Sequence, residues 1–203
     1  MPPENLFDES AEDTRTAIME ATYHALVEHG YAGLSIQRIA DQFDKSKSLL
    51  YHHYEGKDDL LVDFLTFYLD YLQRETMVPP DAPAAERLRT FFAGIDPADP
   101  ARTDEFVGVF VELRAQAVQC DDYEQLITRT DEYIREYLAS IIEDGIEQGS
   151  FREVDPDRTA AFLVSILDSV LLRRTTTTDD EAVARDVLDE LDHYLETRLY
   201  RED

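Results

Sequence analysis

The sequence predicts an all-α fold of about nine helices, and three observations predict it. Apolar residues recur at three- and four-residue spacing nearly throughout, no alternating run is long enough for a strand, and capping or chain-breaking residues separate the periodic stretches. At 203 residues the chain is long enough to bury a core in one helical domain with a small appended module. The expected division is a trihelical helix-turn-helix unit over 1–57, with a flexible arm at its start, and a larger helical domain over 58–203.

Taken in order, the first helix is expected from about Ala11 through Ala17, Ile18, Ala21, Ala25 and Leu26, stopping at Gly30, which accepts the left-handed conformation that ends helices. Ser35 caps a short second helix through Ile36, Ile39, Ala40 and Phe43. Asp44 and Lys45 make a tight turn, and Ser46 caps a third short helix to about Tyr54. Three short helices with such turns form a compact unit. A longer helix begins near Lys57, with Asp58 and Asp59 complementing its dipole, and ends before Val78-Pro79-Pro80. Further helices are expected from Ala84 to Ile95, Asp104 to Gln119, Tyr123 to Gln148, Pro156 to Arg174, and Asp180 to about Leu199. Gly149 ends the Tyr123 helix, Asp155-Pro156 is a cap with proline at the first helical position, and Asp179 caps the last helix.

The charge is uneven. The chain carries 19 basic and 45 acidic residues, a formal net charge of -26. Residues 1 to 9 carry -3, residues 10 to 57 carry -2, and residues 58 to 203 carry -21. A near-neutral segment in so acidic a chain is what a polyanion-approaching module requires. All three lysines, Lys45, Lys47 and Lys57, lie in it. Such acidity, with 16 arginines against 3 lysines, is the composition of proteins from cells that hold molar salt, so a salt-requiring fold is expected. No stretch approaches twenty apolar residues, and Met1-Pro2-Pro3-Glu4-Asn5 lacks the basic and apolar regions of a signal peptide, so the expected location is cytoplasmic, with no membrane partner. Cys120 is read as a small core residue.

Function concentrates between Leu34 and Lys57. Ile39, Ala40, Phe43, Leu50 and Tyr54 form an inner face, leaving Lys47, Ser48, Leu49, Tyr51 and His52 on the outer face of the third helix. Short polar side chains and a positive charge at a helix start suit a major groove and its phosphates. Here the chain resembles a known family. Thr16 to Leu61 resembles the N-terminal domain of the TetR family of regulators in Gly30-Tyr31, Ser35-Ile36 with Ile39-Ala40, and Ser46-Lys47-Ser48-Leu49-Leu50-Tyr51-His52-His53-Tyr54 followed by Lys57 and Leu60-Leu61. It departs in the turn, where Asp44-Lys45 stands in place of glycine and an apolar residue, so that Asp41 and Asp44 put negative charge near the DNA face.

The resemblance implies base contacts from Gln37, Ser48, Leu49 and Tyr51, and phosphate contacts from Ser35, Ser46, Lys47, Tyr51, His52, His53 and Lys57. Gly145-Ile146-Glu147-Gln148-Gly149-Ser150-Phe151 with Asp155-Pro156 and Ala160-Ala161 is similar to one variety of the family's C-terminal domain, which encloses an effector and pairs with a second subunit. That implies a homodimer through Phe162, Leu163, Ile166, Leu167, Val170 and Leu171 with Val183, Val187, Leu191, Tyr194 and Leu195. The half-sites of operator DNA, roughly 34 Å apart, require such a pair. Pocket candidates for an unidentified small effector are Tyr68, Leu72, Phe91, Phe106, Phe110, Leu113, Tyr133 and Tyr137, with Glu112, Arg114 and Asp168 as orienting charges.

No catalytic constellation, phosphate loop or cofactor motif stands out. His52 and His53 point about 100° apart on a helix, so a metal site is not expected there. The expectation is a DNA-binding transcriptional regulator, a repressor released by a small effector. The alternatives are an effector-independent regulator of the same fold, and an acidic helical interaction protein that has lost DNA binding.

Overall fold

A computed structural model describes residues 6–7, 14–43, 47–75, 82–93, 104–178 and 181–201, with side chains except at 47, 74, 75, 104–106 and 181. Among the described residues there are nine α-helices: α1 (Thr14–Gly33), α2 (Ile36–Gln42), α3 (Lys47–His53), α4 (Lys57–Glu75), α5 (Ala84–Ala93), α6 (Asp104–Gln116), α7 (Asp121–Glu147), α8 (Pro156–Thr176) and α9 (Glu181–Tyr194). A π-helical turn, Leu195–Leu199, follows α9. The only β pairing among these residues is the isolated bridge between Phe151 and Tyr200. The expected all-α class holds. The chain divides into two compact units, one of Met1–Glu75 with Thr103–Thr128 and the other of Thr76–Arg102 with Arg129–Asp203.

In the first unit α1 packs on α2, α4 and α6, and α2 packs on α3. Ile18, Met19 and Leu26 of α1, Ile39 and Ala40 of α2, Leu50 of α3, Leu60, Leu61 and Phe64 of α4 and Leu113 of α6 share one buried core. Ser35 caps α2 as expected: its Oγ accepts the Arg38 N–H at 3.3 Å. The end of α1 differs from expectation. The helix breaks at Gly30 (φ 61°, ψ 169°) and resumes as far as Gly33. That backbone region is essentially open to glycine alone. The Tyr31 N–H, turned out of the helix, donates to Glu112 Oε2 of α6 at 2.5 Å. Starts of α1 before Thr14, and the Asp44-Lys45 turn with the Ser46 cap, lie outside the described residues.

The second unit buries Leu88 of α5, Leu138, Ile141 and Ile142 of α7, Leu163 and Val170 of α8, Leu191 of α9 and Leu195 and Leu199 of the π turn, with Phe151 at the centre. Gly145 lets that ring lie against α7, since a Cβ there would overlap it. Gly149 (φ 75°) ends the α7 segment as expected, its N–H donating to the Ile146 carbonyl at 3.0 Å. Asp155 Oδ1 accepts the Arg158 N–H at 3.1 Å, with Pro156 opening α8. The last helical stretch reaches Leu199 as expected, its final five residues as a π turn. The Tyr200 N–H reaches back to Leu195 O at 2.7 Å, and the Arg152 and Arg201 N–H groups pair with Leu199 O and Ser150 O. These bonds hold the chain end against the α7–α8 connection. The Asp179 cap lies outside the described residues.

Candidate nucleic-acid interface

The outer faces of α2 and α3 carry the expected contact residues. Gln37, Ser48, Tyr51, His52 and His53 are exposed, Tyr51 by 52%. Leu50, one residue before Tyr51, is fully buried, so the short helix is oriented by its core side and turns the opposite side to solvent. Leu49, expected among the base contacts, is half-buried and packs on the core. Ser46 and the Lys47 side chain lie outside the described residues.

Two of the exposed residues are joined. The Tyr51 hydroxyl donates to Gln37 Oε1 at 3.0 Å, and Gln37 Nε2 donates to Asp41 Oδ1 at 3.0 Å. This chain crosses from α3 to α2 and presents one amide edge in a set orientation. Ser35, expected on phosphate, spends its Oγ on the α2 cap, and its hydroxyl proton is still a donor.

Behind this face the inner residues are held by charge. Tyr54, read as an inner residue, donates its hydroxyl to Asp63 Oδ2 at 2.6 Å. Asp63 also takes Arg15, with Nη2 on Oδ1 at 2.7 Å and Nε 3.3 Å from Oδ2. Burial first, and then the Asp63 carboxylate, push the Tyr54 hydroxyl well above its ordinary range. Asp58 Oδ1 accepts both the Tyr31 hydroxyl at 3.0 Å and the Tyr123 hydroxyl at 3.2 Å, so α1, α4 and α7 meet at one carboxylate. Burial, with Asp58 next, raises both tyrosines.

Lys57 makes an internal contact. Expected on phosphate, its Nζ donates to the Tyr31 carbonyl at 3.0 Å and lies 4.0 Å over the Tyr31 ring. The Tyr31 carbonyl, just past the break at Gly30, accepts the Leu34 N–H at 3.2 Å and takes the Lys57 ammonium as a second donor. Beside α3 lies an open cleft of about 540 Å³, lined by Tyr51 to Glu55, Asp58, Asp59, Val62, Cys120 and Asp122. Cys120, half-buried, packs on the core as expected. Among the described residues no cluster of three or more His, Cys, Asp or Glu side chains could hold a metal ion.

The expected effector residues fall in both units. Tyr68, Leu72, Phe110 and Leu113 belong to the first, where Tyr68 and Phe110 rings sit 4.0 Å apart and Leu72 and Leu113 are buried. Phe91, Tyr133 and Tyr137 belong to the second, with Phe91 and Tyr137 rings 6.1 Å apart. Leu113 belongs to the buried core of the first unit. The Phe106 side chain lies outside the described residues. Glu112, expected to orient an effector, is engaged at the Tyr31 N–H. The sequence marks Asp58 only as a dipole partner and Glu112 only as an effector-orienting charge, and does not single out Arg15 and Asp63, because the partners of all four are distant along the chain.

The expected dimer set also divides. Leu163, Leu167, Val170, Leu191 and Leu195 are buried in the core of their own unit. Phe162 and Val183 are exposed, as is Leu172, while Ile166, Leu171, Val187 and Tyr194 are half-buried. The Phe162 and Tyr194 rings lie 4.9 Å apart, an aromatic contact between α8 and α9.

Comparison with known proteins adds the following. Residues 18–64 match the family described as bacterial regulatory proteins, tetR family, and residues 83–199 match the family described as BetI-type transcriptional repressor, C-terminal. The transcriptional repressor AcnR of Corynebacterium glutamicum is 25% identical over 185 residues, which is 87% of this chain and 89% of that one. A TetR transcription regulator from Haloarcula marismortui has a solved structure that is 31% identical, with a TM-score of 0.81 over 91% of this chain and 97% of that one. A transcriptional regulator from Saccharomonospora viridis, solved in complex with choline, shares the fold at 20% identity, with a TM-score of 0.80 over 93% of this chain and 98% of that one.

Proposed function

Because this chain belongs to the TetR family of transcriptional regulators, we propose that it is a homodimeric repressor whose α3 helices enter adjacent major grooves of operator DNA, and which a small effector releases. The observation that carries the DNA part is the exposed Tyr51–Gln37–Asp41 chain on α2 and α3, backed by a fully buried opposite face. A glutamine amide held this way offers the donor and acceptor that read adenine, and the Tyr51 ring lies where a thymine methyl can pack. Ser48 joins the base-reading face. Ser46, Lys47, His52 and His53 position the module on phosphates, Ser35 adds its hydroxyl, and Lys57 braces α1 against α4 from within.

The DNA-binding function is assigned to residues 1–57, and effector binding and dimerisation to 58–203. Pairing is supported by the apolar residues Phe162, Leu172, Val183 and Tyr194 of α8 and α9, which a second copy covers with the same residues. The net charge of -26 supports a working environment of concentrated salt, where self-repulsion is screened and little affinity comes from counterion release. A partner that is chromosomal DNA sets the site of action in the cytoplasm, and the function involves no catalysis and no cofactor.

The test is genome-wide mapping of bound sites, followed by anisotropy titration of a mapped site with the purified protein in concentrated potassium chloride. Saturable binding to a palindromic site, at two chains per site, is the expected result. No enrichment at any site, or a strictly monomeric particle, overturns the reading.

A further inference from the structure

Among the described residues one charged side chain is buried, and it lies in the second unit. Arg87 of α5 is 4% exposed. Its Nη1 donates to Asp144 Oδ2 of α7, a carboxylate that is itself 41% exposed. Its Nε, on the other edge of the guanidinium, has no hydrogen-bond partner among the described residues. Nor has the Tyr137 hydroxyl, although Tyr137 is 7% exposed. A buried polar group without a partner is rare in a folded protein and calls for a cause.

The two side chains are neighbours. The Arg87 guanidinium carbon stands 6.0 Å from the Tyr137 ring centroid. Phe91, one turn further along α5, places its ring 6.1 Å from Tyr137, and burial raises the hydroxyl of Tyr133, one turn earlier on α7. Polar donors are thus set among aromatic walls. Arg Nε is a donor only, and a tyrosine hydroxyl donates readily, so the missing complement is an acceptor. The protein itself shows what fills such an edge: Arg15 gives Nε and Nη2 to the two oxygens of Asp63. A planar carboxylate matches that fork, whereas a cationic group meets a guanidinium it cannot approach.

We propose that the second unit binds a small carboxylic acid, its carboxylate accepting from Arg87 Nε and the Tyr137 hydroxyl and its apolar body lying against Phe91. This deepens the effector part of the proposed function and rests on it. The acid is the effector, and Asp144 holds the guanidinium in position without covering its second edge.

Calorimetry on the full chain in concentrated potassium chloride tests this with acetate, hexanoate and phenylacetate, each against the alcohol of the same carbon skeleton, and with choline as the cationic control. Phenylacetate or hexanoate binds at least about tenfold more tightly than its alcohol, and choline gives no heat. Tyr137→Phe weakens that acid about tenfold, the loss of one hydrogen bond, while its circular dichroism stays that of the parent. Arg87→Met abolishes acid binding. Acids that bind no better than their alcohols overturn the proposal and leave the two donors to ordered water, as does Tyr137→Phe with undiminished affinity. DNA titration of the same samples separates the outcomes. A protein that binds its mapped site but no acid refutes this inference alone, and one that binds acid but no DNA refutes the regulator reading alone.

Discussion

Replacing Lys57 by methionine separates a structural lysine from a phosphate-binding one. Methionine keeps the stem's packing and removes the ammonium. The charge-assisted bond to the Tyr31 carbonyl, 3.0 Å long, belongs to a class that contributes about 1.5–3 kcal/mol, reduced here to about 1 kcal/mol because Lys57 is half-exposed. The ammonium 4.0 Å over the Tyr31 ring adds about 0.5–1 kcal/mol. Against these, a positive charge in the first turn of α4 opposes the helix dipole, and its removal returns about 0.5 kcal/mol. The net loss is about 1–1.5 kcal/mol, roughly a five- to tenfold fall in the folded-to-unfolded ratio. Urea unfolding followed by circular dichroism in concentrated potassium chloride measures it. The companion measurement is operator affinity against salt, whose logarithmic slope falls by about 0.9 for each phosphate contact removed. The expected result is a lower unfolding midpoint with an unchanged slope. Undiminished stability with a slope reduced by about 0.9 per subunit refutes the reasoning and returns Lys57 to the phosphates.

Three further outcomes are expected. Tyr51→Phe, which frees Gln37 at an exposed site, changes stability by less than about 0.5 kcal/mol but broadens base preference at the position Gln37 reads; an unaltered preference in binding-site selection argues against the tied amide. Gly145→Ala gains about 1 kcal/mol of helix propensity but drives a methyl into the buried Phe151 ring, so the net is a loss of about 1–2 kcal/mol in urea unfolding, and a stabilised variant shows that the ring moves aside freely. Tyr54 and Tyr123 are held protonated above their ordinary 10.0, so their contribution is complete below pH 10 and is lost as pH rises from there toward the folded-state values. The thermal midpoint should fall through that window, less steeply in Tyr54→Phe with Tyr123→Phe, and equal steepness in the variant contradicts it.

What could be read from the sequence was what local chemistry decides. Ser35, Gly149 and Asp155 cap or end their helices as expected because the groups involved are within four residues of each other. The inner face of α2 and α3 followed from apolar spacing, and Ile39, Ala40, Phe43 and Leu50 are all buried. The failures share a cause in contacts remote along the chain. Gly30 marked the break, but the acceptor that takes up the Tyr31 N–H beyond it is Glu112, 81 residues away. The stripe on α8 was visible, yet periodicity cannot tell which of its apolar residues the unit covers for itself. Leu163 and Leu167 proved to be core while Phe162 stayed outside. Arg87 carried no signal at all, since an arginine in an amphipathic helix looks like a surface residue until α7 is placed beside it.

The charge distribution sharpens what the DNA face has to accomplish. Residues 10 to 57 are nearly neutral, while the cleft beside α3 is lined by Glu55, Asp58, Asp59 and Asp122. In dilute buffer this lining would repel a phosphate backbone over about 10 Å, and in molar salt over about 3 Å. At the higher salt the repulsion no longer reaches across the groove, and neither does attraction from Lys47. Affinity must then come from contacts that salt does not screen: bonded amide edges, a ring against a thymine methyl, and shape. A tyrosine holding a glutamine is that kind of contact, because it fixes the amide before DNA arrives and removes the entropy of ordering it on binding. On the proposed reading of a chain working in concentrated salt, neutrality of this segment is enough for DNA approach, and a basic surface would contribute little.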